Sequence, residues 1–353
     1  MGYKIIHEGS VKDFYSKSDP TESNFGYGFL SFKQRPDGTG PVSIFDLKEK
    51  FPFGIKGKDH FMYRESVNFF ELMKKNSIRT HYVKDLGNRE IAVYVAHIPP
   101  KKGWEEWVKT RGEKPFLVPM EVIISNTITP VASLHKRLRT GKKKPEDYGL
   151  ERPPERYESV TPPEPVITTS TKLGDTDVYR DDLFEVLGLN EEKKAELVEL
   201  AKRANGVSRD HASGAGLDLA DGKFEFIMDA YGRLYICDTF LTSDENRILT
   251  ENEYGKLVDL SKQFLRNLYT INGYRQIIEA EQEEGLPYFE DWTVPEILDE
   301  KTMKVVEKSY AVVYQQLCGE PMGLDLKKVA TEVQDTLDKF REKYKRDETG
   351  AEI

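Results

Sequence analysis

The sequence has almost no cysteine, no long apolar run and no excess of positive charge, and each shortage removes a class of answers. Cys237 and Cys318 are its two cysteines. They are too few for a disulfide framework, and neither lies in a spacing that holds zinc or an iron–sulfur cluster; a reducing, cytoplasmic compartment is expected. The roughly 18 consecutive apolar residues of a membrane span occur nowhere, and the opening MGYKIIHEGS has no apolar signal core. Ile6 stands where a myristoylation motif places serine or threonine. The net charge of −9 argues against general nucleic-acid binding, Lys142-Lys143-Lys144 being the one conspicuous basic run. What remains is a repeat-free chain of 353 residues, 38% hydrophobic and 32% charged. It is long enough to bury a large core in two lobes or two domains under a heavily charged surface.

Residues 1 to about 98 read as β-rich, with strands over Tyr3–His7, Phe14–Tyr15, Gly28–Phe32, Val42–Phe45 and Ile91–His97. One helix fits Arg64–Lys75, where Val67, Phe70 and Leu72 support an apolar stripe. A charged connector from Lys101 to Lys114 carries Trp104 and Trp107. FLVPMEVIIS, residues 116–125, reads as two strands broken by Pro119, and Arg139–Pro165 as a long surface loop bordering a site. Asn190 caps a helix from Glu191 to about Ala204. A further helix is expected over Glu253–Leu268, with Leu257, Leu260, Phe264 and Leu268 buried and Lys262 and Arg266 on another side. Asp299–Lys345 reads as helical and polar, a source of packing or oligomer contacts rather than chemistry. His135 and His211 read as structural, and Gly214–Gly216 lacks the strand and spacing of a dinucleotide fingerprint.

The stretch DGKFEFIMDAYGRLYICD, Asp221–Asp238, reads as two strands joined at Ala230-Tyr231-Gly232. Alternation puts Phe224, Phe226 and Met228 on one face and Lys223, Glu225 and Ile227 on the other. A loop centred on Ala230 and Tyr231 pairs Met228 with Arg233, and so Lys223 with Asp238. One cation and two carboxylates on a shared face suit a divalent metal and a phosphate chain; read alone, they also suit a solvated strand with an ion pair. Upstream, HEGSVKDFY (His7–Tyr15) is a strand, a Gly-Ser turn and a returning strand with Lys12, a shape that lays backbone N–H groups on phosphate.

In order, EGSVKDFY, VSIFD (42–46), IKGKD (55–59), VPMEVI (118–123), ITTSTKLGDTD (167–177), LADGKFEF (219–226) and CDTFLTSDENR (237–247) resemble the blocks of the SAICAR synthetase family. The resemblance spans about residues 3–268 and is closest to a longer variety of that family. It implies an α+β, two-lobed ATP-binding fold: an N-terminal β-rich lobe (1–115), a central mixed lobe (116–270) and a helical C-terminal extension (271–353). It also implies a cytoplasmic ligase that joins carboxyaminoimidazole ribonucleotide to aspartate using ATP and Mg²⁺. Carried over by position, Gly9, Ser10, Lys12 and Lys223 meet the ATP phosphates, the backbone near Leu117 to Met120 meets the adenine, and Glu225 and Asp238 hold the metal. Ser43 and Asp46 fall at the acid or aspartate pocket with Lys172 and Asp177 over it, and Asp46 or Asp177 accepts a proton from the amine. Lys12, Lys172 and Lys223 serve the chemistry, while Ser133, Asp244, Arg247, Lys262 and Arg266 line the nucleotide-substrate side. The implied partners are the imidazole nucleotide and aspartate, or analogues, with no nucleic acid or membrane; a homo-oligomer stays open.

The substrate half departs from the family pattern. Ser125 stands where the family carries an arginine for the substrate's 5′-phosphate, and the chain is two residues longer between Ser125 and Ala132-Ser133. Ser10 replaces the first lysine of the Gly-Lys pair, Thr239 replaces the acid after the metal aspartate, and KQRPDGTGP blurs the Ser-Asp-Arg before VSIFD. Two alternatives follow: a paralogous ATP-dependent ligase acting on another acid in secondary metabolism, and a catalytically retired nucleotide-binding protein.

Overall fold

Short amphipathic strands separated by turn residues build the first sheet of the computed structural model, which describes residues 3–45, 51–173, 182–284 and 292–351. Strands β1 (Lys4–Glu8) and β2 (Lys12–Ser18) form a hairpin, and β3 (Gly26–Phe32) adds beyond β2. A ribbon of β4 (Thr39–Pro41) and β5 (Gly54–Lys56) leads to α1 (Lys58–Lys75). Strands β6 (Tyr82–Gly87) and β7 (Glu90–Val95) then complete the order β1-β2-β3-β7-β6. Val42–Phe45 is not a strand. Ile44 is fully buried there, and its carbonyl accepts from Arg266 Nε at 2.5 Å, a side chain replacing a ladder partner. Helix α1 begins earlier than expected, because Gly57 takes the left-handed conformation (φ 78) that opens it and Asp59 supports its first turn.

After α2 (Trp104–Thr110) come β8 (Phe116–Ser125), α3 (Ser133–Arg139), β9 (Val166–Thr171), α4 (Leu183–Val186) and α5 (Glu191–Gly214). Strands β10 (Asp218–Met228), β11 (Leu234–Cys237), β12 (Arg247–Glu251) and β13 (Leu257–Asp259) follow. Strand β10 is the spine of this sheet: β8 runs along one edge, while β12 covers its first half and β11 its second on the other.

Pro119 does not break β8. The β8–β10 register shifts between Glu225 and Ile227, opposite the proline, so no ladder bond is asked of the missing N–H; the Pro119 carbonyl still accepts from Lys172 N at 3.2 Å. The Arg139–Pro165 segment is irregular but packed, with Tyr148, Leu150 and Val160 resting on a small core of Ile128, Leu134, Leu138 and Val166. Asn190 caps α5 by accepting from Lys193 N. The helix outruns Ala204 because the small residues Ser208 and Ala212 continue its buried side.

The expected helix over Glu253–Leu268 is instead a turn, a strand and a shorter helix. The Asn252 side chain accepts from Tyr254 N and Lys256 N, Gly255 is left-handed (φ 72), and Leu257 pairs with Glu251. Ser261 then opens α6 (Lys262–Ile271) by accepting from Gln263 N. Leu260, Phe264 and Leu268 are fully buried, whereas Leu257 is exposed.

Helices α7 (Tyr274–Glu283), α8 (Glu300–Cys318) and α9 (Leu326–Tyr344) end the chain's regular structure. Helix α8 lies on α1, with Tyr314 stacked on Phe61 at 4.7 Å and Asn68 Nδ2 donating to the Leu317 carbonyl at 2.9 Å. One hydrophobic cluster runs from Leu30 through Phe224 and Phe264 to Phe340, so the three expected divisions share a core. Beyond α9, Asp347 accepts from Arg156 Nη2 and Tyr157 Oη, each at 2.8 Å, tying the C-terminal segment to the long loop. Among the described residues no helix is long and apolar enough to cross a membrane.

The two sheets meet edge to edge. His81 N donates to the Ile236 carbonyl and Ile236 N to the Arg79 carbonyl, while His97 bonds with Pro115 and Leu117. The seam opens as a cleft walled by the β1–β2 turn on one side and by β8, β10 and the segment after β11 on the other.

Candidate active site

The β10–β11 hairpin has a different register from the one expected. Met228 pairs with Leu234, leaving a five-residue loop, Asp229–Arg233. Asp229 causes this: its carboxylate accepts from Tyr231 N and Arg233 N at 2.9 and 2.8 Å, and from Arg233 Nε at 2.6 Å, holding one more residue in the turn. Lys223 and Asp238 are therefore not cross-strand partners; Glu225 pairs with Cys237. Continued as a strand, the chain would turn Asp238 away from the Glu225 face. Instead Asp238 adopts φ 59, a conformation that aspartate tolerates better than most residues, and lines the same cleft as Glu225.

The cleft encloses about 910 Å³. Gly9, Ser10, Lys12, Ser43, Leu117, Lys172, Lys223, Glu225, Asp238, Asp244, Arg247, Lys262 and Arg266 all line it. At one end Lys12 Nζ lies 2.6 Å from Asp238 Oδ1, donates to Thr239 Oγ1 at 2.7 Å and is 3.6 Å from Glu245. Lys172 is paired with Glu225. Lys223 donates to Glu121 Oε1 at 2.7 Å and lies 3.6 Å from Glu225. Burial opposes the charge of Asp238, but Lys12 and Lys172 outweigh it and hold the carboxyl below its ordinary range. Burial likewise opposes the charge of Lys223, yet Glu225 and Glu121 raise the ammonium well above its usual value. These groups stay ionised at neutral pH.

Gly9 is needed where it stands. Its N–H donates to the Lys12 carbonyl at 3.1 Å, and a Cβ would meet that same oxygen at 2.4 Å.

A recess of about 270 Å³ continues from the cleft, sharing Ile123, Asp221, Arg247, Gln263 and Arg266 with it. It adds Ser125, Ser133 and Arg275. Ser133 thus sits in the recess, with Ser125 buried beside it. Arg247 is ion-paired with Asp221, Arg266 donates to Ile44 O, and Arg275 Nε donates to Glu279 at 2.7 Å. Three guanidinium groups against the two carboxylates of Asp221 and Glu279 leave this end with a surplus of positive charge, which suits an anion. Lys136 and Arg137 do not line it.

The Met120 side chain does not line the cleft. Alternation along β8 turns Leu117, Glu121 and Ile123 to the cleft and Met120 to the core, where it is fully buried. Asp46 and Asp177 lie outside the described residues. His135 and His211 are structural: their Nε2 atoms bond the Glu158 and Leu317 carbonyls at 3.0 and 2.8 Å.

Sequence reasoning missed Glu121, His81, Glu245 and Arg275. Glu121 left a usable signal, a lone carboxylate inside the apolar run VPMEVII. His81 left none; burial pushes its imidazole down to about 4, so it is neutral in the cleft.

Among the described residues no group of three or more His, Cys, Asp or Glu is arranged to hold a metal ion. Glu225 and Asp238 are two hard oxygen donors, the number that Mg²⁺ takes from a protein when phosphates and water complete its shell. Burial pushes the Glu225 carboxyl up; Lys172 pulls against this and the Asp238 charge adds to it. The pair fits a divalent cation.

A family model described as SAICAR synthetase matches residues 5–281. A phosphoribosylaminoimidazole-succinocarboxamide synthase of Thermoplasma volcanium is 28% identical over 90% of this chain and 99% of its own length. A solved SAICAR synthetase (Type-2) in complex with ADP superposes with a TM-score of 0.57 at 20% identity, covering 91% of this chain and 100% of that one. The SAICAR synthase of Saccharomyces cerevisiae complexed with SAICAR gives 0.61 at 21% identity, covering 91% and 97%. The fold is shared with both.

Proposed function

The chain belongs to the SAICAR synthetase family, and from that premise we propose that it is the ATP-dependent ligase of purine biosynthesis that joins carboxyaminoimidazole ribonucleotide to L-aspartate. The observation that carries this is one cleft with two unlike ends. Three lysines interleaved with buried carboxylates stand at one end, and three arginines stand at the other. The ADP bound to one relative and the SAICAR bound to another support a nucleotide end and a ribonucleotide end.

A carboxylate is a poor electrophile, since its leaving group would be oxide. Transfer of the γ-phosphoryl group to a carboxylate oxygen of the ribonucleotide turns that oxygen into a leaving group and releases ADP. Lys12, Lys172 and Lys223 neutralise charge on the moving phosphoryl oxygens, while Gly9 and Ser10 lay the β1–β2 turn against the phosphate chain and Leu117 borders the adenine. Glu225 and Asp238 would hold Mg²⁺, which when bound screens the phosphate charges. The aspartate amine then attacks the acyl carbon. The C–O bond to phosphate breaks, inorganic phosphate leaves with the former carboxylate oxygen, and the amine's proton goes to a carboxylate, for which Asp46 or Asp177 remains our proposal.

Ser43, Asp244 and Lys262 border the reacting carbonyl. Arg247, Arg266 and Ser133, joined by Arg275, take the ribose 5′-phosphate in place of a side chain at position 125. We place the reaction in the cytoplasm, with small-molecule partners only. The loss of arginine at position 125 favours a second reading, a paralogue acting on a different acid.

The two are separated by supplying ATP, Mg²⁺ and aspartate with the ribonucleotide, its dephosphorylated riboside, or other carboxylates, and reading products by mass. We expect the ribonucleotide to be turned over far faster than the riboside. Turnover of neither beside a different acid that works overturns the assignment.

A further inference from the structure

Helix α8 lies beyond the segment matched to the family, yet it reaches the wall of the cleft. Tyr310 Oη donates to Asp244 Oδ1 at 2.8 Å. Lys58, the first residue of α1 and wholly buried, holds the other oxygen, Oδ2, at 2.7 Å and donates to the Pro41 carbonyl at 2.9 Å. The Tyr310 ring lies 5.6 Å from the same ammonium. Asp244 lines the cleft beside Glu245 and Lys262, whereas Tyr310 stands behind it, about 1% exposed.

The arrangement is a two-point hold. Lys58 holds one carboxylate oxygen through a charge contact with three rotatable donors, which has little directional preference; the hydroxyl of Tyr310 adds a directional bond to the second oxygen. The two holders move as one body, because α8 is clamped to α1 by the Phe61–Tyr314 stack and by His60 Nε2, 3.3 Å from Tyr314 Oη. Packing alone does not call for the hydroxyl, since phenylalanine fills the same volume without bringing a donor into the interior.

We propose that Tyr310 is a positioning residue for the ligase reaction, fixing Asp244 so that Oδ1, the oxygen not enclosed with Lys58, accepts an N–H of the substrate through its remaining lone pair. The C-terminal extension thereby completes the acid and amine pocket. This rests on the reading of Asp244 as a substrate-contacting residue.

The test is a double-mutant cycle on the full chain, with KM for ATP, ribonucleotide and aspartate measured separately. Asp244→Asn identifies which substrate constant the carboxylate governs. Tyr310→Phe should raise that same KM about tenfold, with KM for ATP within twofold and the melting temperature little changed. The double variant should be no worse than Asp244→Asn alone, because Tyr310 acts through Asp244. If the phenylalanine variant melts below the assay temperature, the cycle is run below its melting temperature, where the same rise is expected. Normal constants for Tyr310→Phe beside an impaired Asp244→Asn, or additive losses in the double variant, overturn the inference and leave the reading of the site intact. Normal constants for Asp244→Asn overturn the reading of that residue and the inference with it.

Discussion

Asp238 reaches the cleft through a backbone angle rather than through its strand position. The sequence showed which residue types gathered on the hairpin, Lys223, Glu225 and Asp238, but not how they pair. Register depended on Asp229, whose hydrogen bonds enlarge the loop by one residue, and the positive φ of Asp238 then restores the carboxylate to the Glu225 face. At the other end of the cleft, Ser125 leaves a charge deficit that Arg275 fills in our account. A hydrogen bond to a charged group contributes about 1.5–3 kcal/mol. Arg275→Ala should therefore lower kcat/KM for the ribonucleotide at least about tenfold while sparing the riboside, and Ser125→Arg should change it less than about threefold. Equal losses on both substrates would remove Arg275 from the phosphate end.

Glu65 makes a pH prediction at the same scale. Burial pushes its carboxyl up to about 8, against the pull of Ser243, whose N–H and hydroxyl donate to it at 2.9 and 3.0 Å. The folded protein keeps a proton that the unfolded chain releases near the ordinary glutamate value of 4.5. The contribution is fully present below that value and is lost as pH rises through about 8. Urea unfolding at pH 5 and pH 8 should show a fall in stability that Glu65→Gln largely abolishes, the amide still accepting from Ser243 N. Parallel falls in both proteins would place the titrating group elsewhere.

Among the elements, the β1–β2 turn was legible because Gly-Ser between alternating strands has few other readings. Its tightness was not: only the 2.4 Å approach to the Lys12 carbonyl shows that position 9 tolerates no Cβ. Gly9→Ala should raise KM for ATP about tenfold by displacing Lys12, with KM for aspartate unchanged; an unaltered KM for ATP would show that the turn does not meet phosphate. Strand β8 was read as broken because Pro119 lacks an N–H, and a register shift in the neighbouring β10 removes the need for one. Glu253–Leu268 was read as one helix because Leu257, Leu260, Phe264 and Leu268 carry a helical period. Asn252 and Gly255 instead build a turn, and Ser261 starts the helix later. In this last case hydrogen bonding by single polar side chains outweighed the apolar pattern.

Over the whole molecule, the gathering of lysines and carboxylates was legible because these charges sit in contiguous blocks, each read against an apolar strand. The substrate end is assembled from β8, α3, β12, α6 and α7, so Arg275 carried no local signal. The C-terminal helices read as a source of packing contacts, and Val306, Tyr310 and Val313 are buried in the common core; what the polar pattern did not show is that Tyr310 bonds Asp244 in the cleft wall. A single cleft thus holds a lysine–carboxylate end and an arginine-rich end, the arrangement that our proposal of carboxylate activation by ATP calls for. The measurement that tests this most directly supplies ribonucleotide labelled with ¹⁸O in its carboxylate, together with ATP, Mg²⁺ and aspartate, and follows the label by mass spectrometry. The account predicts one ¹⁸O in the inorganic phosphate for every amide formed, with the other kept in the product carbonyl. Phosphate free of label, or released without amide, would contradict it.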